Sequence, residues 1–264
     1  MTEEGLVLRV IAVPIAPMRK AADANSGLVT EALLGERVQV EDSDDAFVKA
    51  ELEEDGYVGY LPRAMLGAPG RAPSHRITVA KTFRFSGPDI KSPPLGALYL
   101  NCRVAVSDGD ADDRFAQLDG GGYVLRSTMV PLGTLAADPG AVAEGFVNAP
   151  YLWGGKSYEG LDCSGLVQLS LQACGIASPR DSHMIEAAVG RSLEGWRNVT
   201  LRRGDLVFWK GHVGMMLDGM LIIHANGHHM KVVIEPLSET IARIAGGHGA
   251  VTSVRRIEAV GSRQ

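Results

Sequence analysis

Apolar residues in the first half of the chain come in short runs that are separated by turn residues, from about residue 6 to residue 133. The clearest runs are 6–11, 37–40, 57–61, 77–80, 103–106 and 122–125. Short strands at close spacing, with Gly, Asp and Pro between them, are typical of small β-barrels or sandwiches. We therefore predict a strand-rich first half.

A Gly- and Pro-rich segment at 66–73 divides this half into two pieces of similar length. Each piece contains a Val-x-Val strand, which starts at Val38 and at Val104, and a Gly-Tyr-Val strand, which starts at Gly56 and at Gly122. The offset is 66 residues in both cases. Hairpins often look alike, but a constant offset favours a diverged duplication.

The pattern changes after Leu135. An Asp-Pro start predicts a helix over 137–147, and small or apolar residues at helical spacing predict a second helix from Cys163 to Cys174, ended by Gly175. Strands are predicted at 205–209, 212–217 and 220–225. Helices placed before an antiparallel sheet indicate an α+β domain.

Composition narrows the functional classes. The chain has 264 residues, 45% hydrophobic and 22% charged, which is the balance of a globular protein with one to three domains. Its net charge is −5 without a concentrated basic patch, so we expect no nucleic-acid partner. The start of the chain is acidic and no apolar run could span a bilayer, so we expect a cytoplasmic protein without membrane contact.

Cysteine usage points to a reactive thiol rather than to a disulfide or a structural zinc site, because the three cysteines lack Cys-x-x-Cys spacing. Cys163 is expected in the first turn of its helix, where the helix dipole and unpaired N–H groups favour a thiolate. Such a placement lowers the pKa of a thiol below its ordinary value of ~8.5. Cys102 and Cys174 are interpreted as buried small hydrophobic residues.

Two histidines flank the predicted hairpin and can supply the base and the orienting group that a nucleophilic thiol needs. If the loop around 217–219 has three residues with Gly219 in the left-handed conformation, His212 lies directly opposite His224 on one sheet face. A two-residue turn would place them on opposite faces. We predict a triad of Cys163, His212 and His224.

A metal site is the alternative use of these histidines, because His224, His228 and His229 are close in sequence. His228 and His229 follow a predicted strand end and have no further ligand at an obvious spacing. We therefore rank zinc below the thiol and expect neither a metal nor a cofactor.

Five motifs occur in the order that is typical of one enzyme family. They are Pro-Tyr-Leu-Trp-Gly-Gly at 150–155, Asp-Cys-Ser-Gly at 162–165, Pro-Arg-Asp-Ser at 179–182, Arg-Gly-Asp-Leu-Val-Phe-Trp at 203–209, and Gly-His-Val-Gly at 211–214 followed by His224. Over about residues 138–260 the chain resembles the NlpC-type papain-like cysteine peptidases, which cut bacterial cell-wall peptides.

The first half resembles the paired bacterial SH3-like domains that precede this catalytic domain in γ-D-glutamyl-diamino-acid endopeptidases of murein peptide recycling. The resemblance implies two small SH3-like β-barrels, at 1–68 and 69–135, and a papain-like α+β domain at 136–264. The lack of an export signal in the sequence fits a substrate that comes to the enzyme, and we therefore expect small imported murein peptides rather than the intact wall.

The family's functional residues can be carried over by motif. Cys163 would be the nucleophile, His212 the general base and acid, and His224 the group that orients His212. Tyr151 would help the backbone N–H of Cys163 to stabilise the oxyanion. The polar positions that would line the substrate groove are Asp162, Ser164, Asp181 and Ser182.

The resemblance further implies that the first domain holds the free α-amine of L-Ala-γ-D-Glu-diaminopimelate. Tyr57, with Asp23 or Glu31, is our candidate for this role. Ile185 departs from the family, where a polar residue is common. Lysine or diaminopimelate as the diamino acid stays open, and the sequence does not indicate an oligomeric state.

Two other functions remain as alternatives. One is a catalytically silent protein that binds cell-wall peptides, and the other is an amidase or acyltransferase with the same papain-like arrangement. Intact Cys163, His212 and His224 argue against a silent protein.

Overall fold

The computed structural model describes residues 5–107, 113–247 and 249–258. The chain forms two compact units, 1–134 and 135–264. Both strand-rich segments belong to the first unit, and the α-helices of the described residues belong to the second. The α+β class and the strand-rich first half predicted from the sequence are confirmed.

The first module of unit 1 is one antiparallel sheet of seven strands in the order β3-β2-β6-β5-β4-β1-β7. Alternate residues of β5 (Val48, Ala50 and Leu52) are buried, which is the two-residue period of a half-buried strand. The strands are β1 (Leu6–Ile11), β2 (Ile15–Arg19), β3 (Leu28–Leu33), β4 (Arg37–Glu41), β5 (Phe47–Leu52), β6 (Val58–Pro62) and β7 (Leu66–Gly67).

The second module repeats this strand order in two smaller sheets, β10-β9-β13-β12 and β11-β8-β14. An isolated bridge between Val106 and Leu118 lies where the first module has continuous pairing of β4 with β5. The strands are β8 (His75–Ile77), β9 (Lys81–Phe85), β10 (Pro94–Tyr99), β11 (Arg103–Val104), β12 (Phe115–Gln117), β13 (Tyr123–Leu125) and β14 (Met129–Pro131). Seven strands in the same order support the duplication.

The predicted offset of 66 residues holds for the Val-x-Val strands but not for the Gly-Tyr-Val strands. Arg37 of β4 pairs with β1 as Arg103 of β11 pairs with β8, which keeps the offset of 66. However, the strands β2 and β9 occupy the same place in the two modules, and they pair with Tyr60 and Tyr123 respectively. These two tyrosines are therefore equivalent, and they are 63 residues apart rather than 66. The match of Gly56 with Gly122 is therefore a coincidence of loop sequence.

The two modules contact each other within unit 1. The N–H of Arg103 donates to the carbonyl of Leu34 at 2.8 Å. The thiol of Cys102 is fully buried, with its Sγ 3.7 Å from the carbonyl oxygen of Pro14. Cys102 thus has the structural role that the sequence indicates.

The described residues of unit 2 form four α-helices and a six-stranded antiparallel sheet in the order β17-β22-β18-β19-β20-β21, with a separate pair β15-β16. Helix α2 packs against β19 and β20. The elements are α1 (Pro139–Glu144), β15 (Lys156–Ser157), β16 (Gly160–Leu161), α2 (Cys163–Ala173), α3 (Ser182–Ala188), β17 (Arg191–Ser192), β18 (Leu206–Trp209), β19 (His212–Met216), β20 (Leu221–Asn226), β21 (Lys231–Pro236), α4 (Leu237–Ala245) and β22 (Ser253–Arg256).

The register of the β19–β20 hairpin differs by two residues from the predicted one. Met216 pairs with Ile222, so His212 is not directly opposite His224. A shift of two residues keeps every side chain on its face, and the two histidines still share one. The shared face was predicted correctly and the direct pairing was wrong.

The cause of this shift is the side chain of Asp218. Its Oδ1 accepts hydrogen bonds from the N–H groups of Met220 and Leu221, both at 2.7 Å. The turn therefore occupies 218–220, and the N–H of Leu217 donates to the carbonyl of Leu221 at 2.8 Å. Gly219 does not take the left-handed conformation.

Within the part of the chain that the structure describes, every helix is too short or too polar to cross a bilayer.

Candidate active site

Cys163 begins α2, where the sequence places it. Asp162 caps the helix, and its Oδ1 accepts a hydrogen bond from the N–H of Gly165 at 2.6 Å. Cys163 as a whole is 7% exposed, so the residue lies just beneath the surface. The backbone N–H groups of Ser164 and Val213 both donate towards its sulfur, which places the sulfur beside the start of β19.

A buried ion pair holds the cap in place. The guanidinium of Arg180, 1% exposed, reaches both carboxylate oxygens of Asp162, at 2.9 and 2.7 Å. The same group donates to Ser164 Oγ at 2.8 Å and to the carbonyl of Gly155 at 3.2 Å. Sequence reasoning noted Arg180 only as part of the Pro-Arg-Asp-Ser motif and did not predict this ion pair.

Gly165 is required for this packing. A Cβ on Gly165 would lie 2.3 Å from the carbonyl oxygen of Gly155, which is closer than real atoms approach. The absent side chain lets the loop before β15 touch the first turn of α2. Through this contact the N–H of Gly154 also reaches Asp162, at 2.9 Å.

The expectation of a thiol pKa below its ordinary value is wrong. Burial, followed by the nearby Asp162 carboxylate, raises the pKa of Cys163 to about 12. Hydrogen bonds from Val213 and Ser164 and the charge of Arg180 act in the opposite direction but do not compensate. The resting thiol is therefore protonated at neutral pH and needs a base to become a nucleophile.

His212 and His224 form a hydrogen-bonded pair. His212 Nε2 lies 2.7 Å from His224 Nδ1, with the ring centroids 5.0 Å apart. His212 begins β19 and is half-buried, whereas His224 is fully buried in β20. Because Nε2 of His212 is committed to His224, Nδ1 is the ring nitrogen that can take a proton from a thiol.

The hydrogen-bonded chain continues past His224. His224 Nε2 lies 2.6 Å from Glu235 Oε1 on the neighbouring strand β21. Glu235 also pairs with Arg243 of α4, and its Oε2 lies 3.3 Å from His229 Nε2. Hydrogen bonding from His224 lowers the pKa of Glu235 to about 2, while burial lowers the pKa of His224 below its ordinary value. Sequence reasoning missed Glu235, because β21 was not predicted.

Tyr151 lies near the sulfur. The backbone N–H of Tyr151 donates to the carbonyl of Met230 at 2.9 Å, which ties it to the loop before β21. Burial first, and then repulsion from Cys163 when that residue ionises, raise the pKa of Tyr151 to about 12. Its phenol therefore keeps its proton and can donate a hydrogen bond to a developing negative charge.

A cysteine at a helix start, beside a histidine pair in an antiparallel sheet, is the arrangement of papain-like peptidases. Residues 148–244 match the NlpC/P60 family, and residues 18–66 match the bacterial dipeptidyl-peptidase SH3 domain. Unit 2 is an NlpC/P60 domain. The chain is accordingly a peptidase with an N-terminal SH3 domain.

Two relatives extend over most of the chain. The γ-D-glutamyl-L-lysine dipeptidyl-peptidase of Bacillus cereus is 28% identical, over 80% of this chain and 71% of its own length. The enzyme of that name from Bacillus subtilis is 26% identical, over 80% and 77%. By contrast, dipeptidyl-peptidase 6 of Lysinibacillus sphaericus is 34% identical, but the match spans 36% of this chain and 34% of that protein.

The fold has a close match among solved structures. The crystal structure of an NlpC/P60 family protein from Bacillus cereus superposes with a TM-score of 0.78 and 23% identity. The match covers 95% of this chain and 99% of that one. The likeness thus extends through both strand-rich modules as well as the NlpC/P60 domain.

Two of the four groove candidates lie at the start of α2, and the other two lie at the start of α3. Asp181 is the residue before that helix and Ser182 is its first residue, and both side chains are partly exposed. Asp162 and Ser164 are instead buried and engaged by Arg180. Contact of these four residues with substrate stays a prediction. Ile185 is fully buried in α3.

The three candidates for amine binding lie in the first module. Asp23 is exposed, and its Oδ1 accepts a hydrogen bond from the N–H of Asn25 at 2.9 Å. Glu31 is buried in β3, at 6% exposure. Tyr57 precedes β6 and packs partly against the hydrophobic core. Their role stays a prediction.

The histidines that suggested zinc have other contacts. His228 packs edge-on against the ring of His229, with centroids 4.6 Å apart, and His229 approaches Glu235. Among the described residues, no group of three or more His, Cys, Asp and Glu side chains has the spacing of a metal site.

Proposed function

We propose that this peptidase hydrolyses the bond between γ-D-glutamate and a diamino acid in murein peptides that carry a free N-terminal L-Ala, in peptidoglycan recycling. The hydrogen-bonded pair of His212 and His224 beside Cys163 carries the proposal. The names of two relatives that match over 80% of this chain support the choice of bond.

In the proposed reaction His212 first acts as a base. Since burial keeps the thiol of Cys163 protonated, the proton passes to His212 Nδ1 as the sulfur attacks the carbonyl carbon. The carbonyl oxygen becomes negative and accepts hydrogen bonds from the N–H of Cys163 and the phenol of Tyr151. His224 keeps the imidazole oriented throughout this step.

The second half of the reaction releases the two products. The imidazolium of His212 gives its proton to the leaving amine of the diamino acid, and the C–N bond breaks. The L-Ala-γ-D-Glu acyl group stays on the sulfur as a thioester. Water, deprotonated by His212, then hydrolyses the thioester and restores the thiol, so that L-Ala-D-Glu leaves.

A free amine on the substrate is the specific requirement of this proposal. We expect L-Ala-γ-D-Glu-meso-diaminopimelate to be cleaved, and its N-acetylated form to be cleaved with a kcat/KM lower by about 100-fold or more, because a site built for an ammonium group leaves its polar partners unpaired without it. The measurement is release of L-Ala-D-Glu, or of its N-acetylated form, by mass spectrometry. The lysine peptide, assayed in parallel, determines the preferred diamino acid.

Three variants locate the amine site. Under the proposal Glu31→Gln, Asp23→Asn or Tyr57→Phe lowers the rate for the free-amine peptide and leaves the slow rate for the acetylated peptide unchanged. Equal rates for the free and acetylated peptides in the wild-type protein would refute the requirement.

A further inference from the structure

The proton positions in the histidine pair are linked. Between His212 Nε2 and His224 Nδ1, at 2.7 Å, one nitrogen must donate and the other accept. If His224 carries its proton on Nε2, its Nδ1 accepts and His212 carries its proton on Nε2. Nδ1 of His212 then has a lone pair for the thiol proton.

The opposite arrangement disables the base. If His224 carries its proton on Nδ1, it donates to Nε2 of His212, whose own proton must then be on Nδ1. A neutral His212 in that form cannot accept the proton of Cys163 through Nδ1. The tautomer of His224 therefore determines whether the neutral pair can act as a base.

Two neighbours of His224 Nε2 favour opposite tautomers. Glu235 Oε1, at 2.6 Å, accepts and so favours a proton on Nε2. Asn226 Nδ2, at 3.2 Å, donates and so favours a bare Nε2. The orientation of the Asn226 amide is fixed, because its Oδ1 accepts a hydrogen bond from the N–H of His229 at 2.8 Å.

We propose that Glu235 is a positioning residue that holds His224 in the Nε2–H tautomer against the competing amide of Asn226. Arg243 contacts the same oxygen, Oε1, and His229 lies near Oε2, so that the carboxylate is held from both sides. Glu235 acts on the reaction only through the two histidines. This inference rests on the proposed roles of Cys163 and His212.

The direct test is ¹⁵N NMR of the histidine rings, which distinguishes protonated from bare nitrogens. In the wild-type protein we expect both His212 and His224 to carry the proton on Nε2. In Glu235→Ala, Asn226 is the remaining partner of His224 Nε2, and we expect both protons to move to Nδ1. Peptide hydrolysis should lose about 100-fold in kcat with KM little changed, as general-base catalysis is removed.

Two further variants separate this role from a structural one. In Glu235→Gln the amide oxygen can replace Oε1 and the amide nitrogen can face His229, so we expect the wild-type tautomers and most of the activity. Glu239→Ala, an exposed carboxylate on α4, is the matched control and should change neither.

The inference would be overturned if folded Glu235→Ala kept the wild-type tautomers of His212 and His224. It would also be overturned if Glu235→Gln had the same tautomers as Glu235→Ala. If Glu235→Ala does not fold, the proton positions in the wild-type protein and in Glu235→Gln still decide it. The NMR measurement needs no substrate, so it stands even if the peptide named above is not the one cleaved.

Discussion

Replacing Cys163 with Ala is expected to reduce cleavage of the murein tripeptide by at least ~10⁴-fold, since no other group in the site can form the thioester. The substitution removes only a sulfur atom at a position that is 7% exposed, so the fold should be retained. Release of L-Ala-D-Glu, measured by mass spectrometry, gives the rate, and circular dichroism checks the fold.

The other two cysteines provide matched controls. Cys102 and Cys174 are both buried, at 0% and 1% exposure, and lie outside the proposed machinery. Cys102→Ala and Cys174→Ala should keep activity within about two-fold and lose stability on the order of 1 kcal/mol. A Cys163→Ala protein that still cleaves the peptide at a tenth of the wild-type rate would exclude a cysteine mechanism.

Replacing Arg180 with Leu is expected to lower the free energy of unfolding by about 3–5 kcal/mol, the usual result of leaving one charge of a buried ion pair alone. Asp162 would keep its cap bond to Gly165 but lose both of its bonds to the guanidinium. The measurement is urea unfolding. Because Asp162 caps the helix that begins with Cys163, activity should fall as well.

A double variant separates charge from packing. Asp162→Asn combined with Arg180→Leu removes both charges while the Asn side chain can still cap α2, so it should be more stable than Arg180→Leu alone. Arg202→Leu, at an exposed position, is the control and should stay within about 0.5 kcal/mol of the wild type. A cost below about 1 kcal/mol for Arg180→Leu would contradict the assigned role of the ion pair.

Local signals in the sequence were sufficient to predict the elements that carry the site. The Asp138 cap marked the start of α1, and its side chain accepts the expected hydrogen bond from a backbone N–H. The start of α2 at Cys163 was predicted from helical spacing, without the Asp162 cap that the structure shows. The strands predicted at 212–217 and 220–225 match β19 and β20 to within one residue at each end. These features depend on residues near in sequence, and so they can be read without knowing the fold.

Features that depend on tertiary packing were predicted less well. Burial of the Cys163 sulfur outweighs the hydrogen bonds from the N–H groups of Val213 and Ser164, and burial cannot be deduced from the helix start alone. The register of the β19–β20 hairpin is determined by the hydrogen bonds that the side chain of Asp218 accepts in the turn, and not by a left-handed Gly219. Glu235 joins the site only because β21 pairs with β20 and brings its carboxylate to the face that carries His224.

The dependence of Cys163 on His212 is tested most directly by alkylation with iodoacetamide between pH 5 and pH 10, in the wild-type protein and in His212→Ala. Without the imidazole, the rate at pH 7 should be very low and should rise about tenfold per pH unit throughout, because burial raises the pKa of the thiol to about 12. The wild-type protein should react much faster at neutral pH, at Cys163 alone. Identical rate profiles for the two proteins would contradict the account.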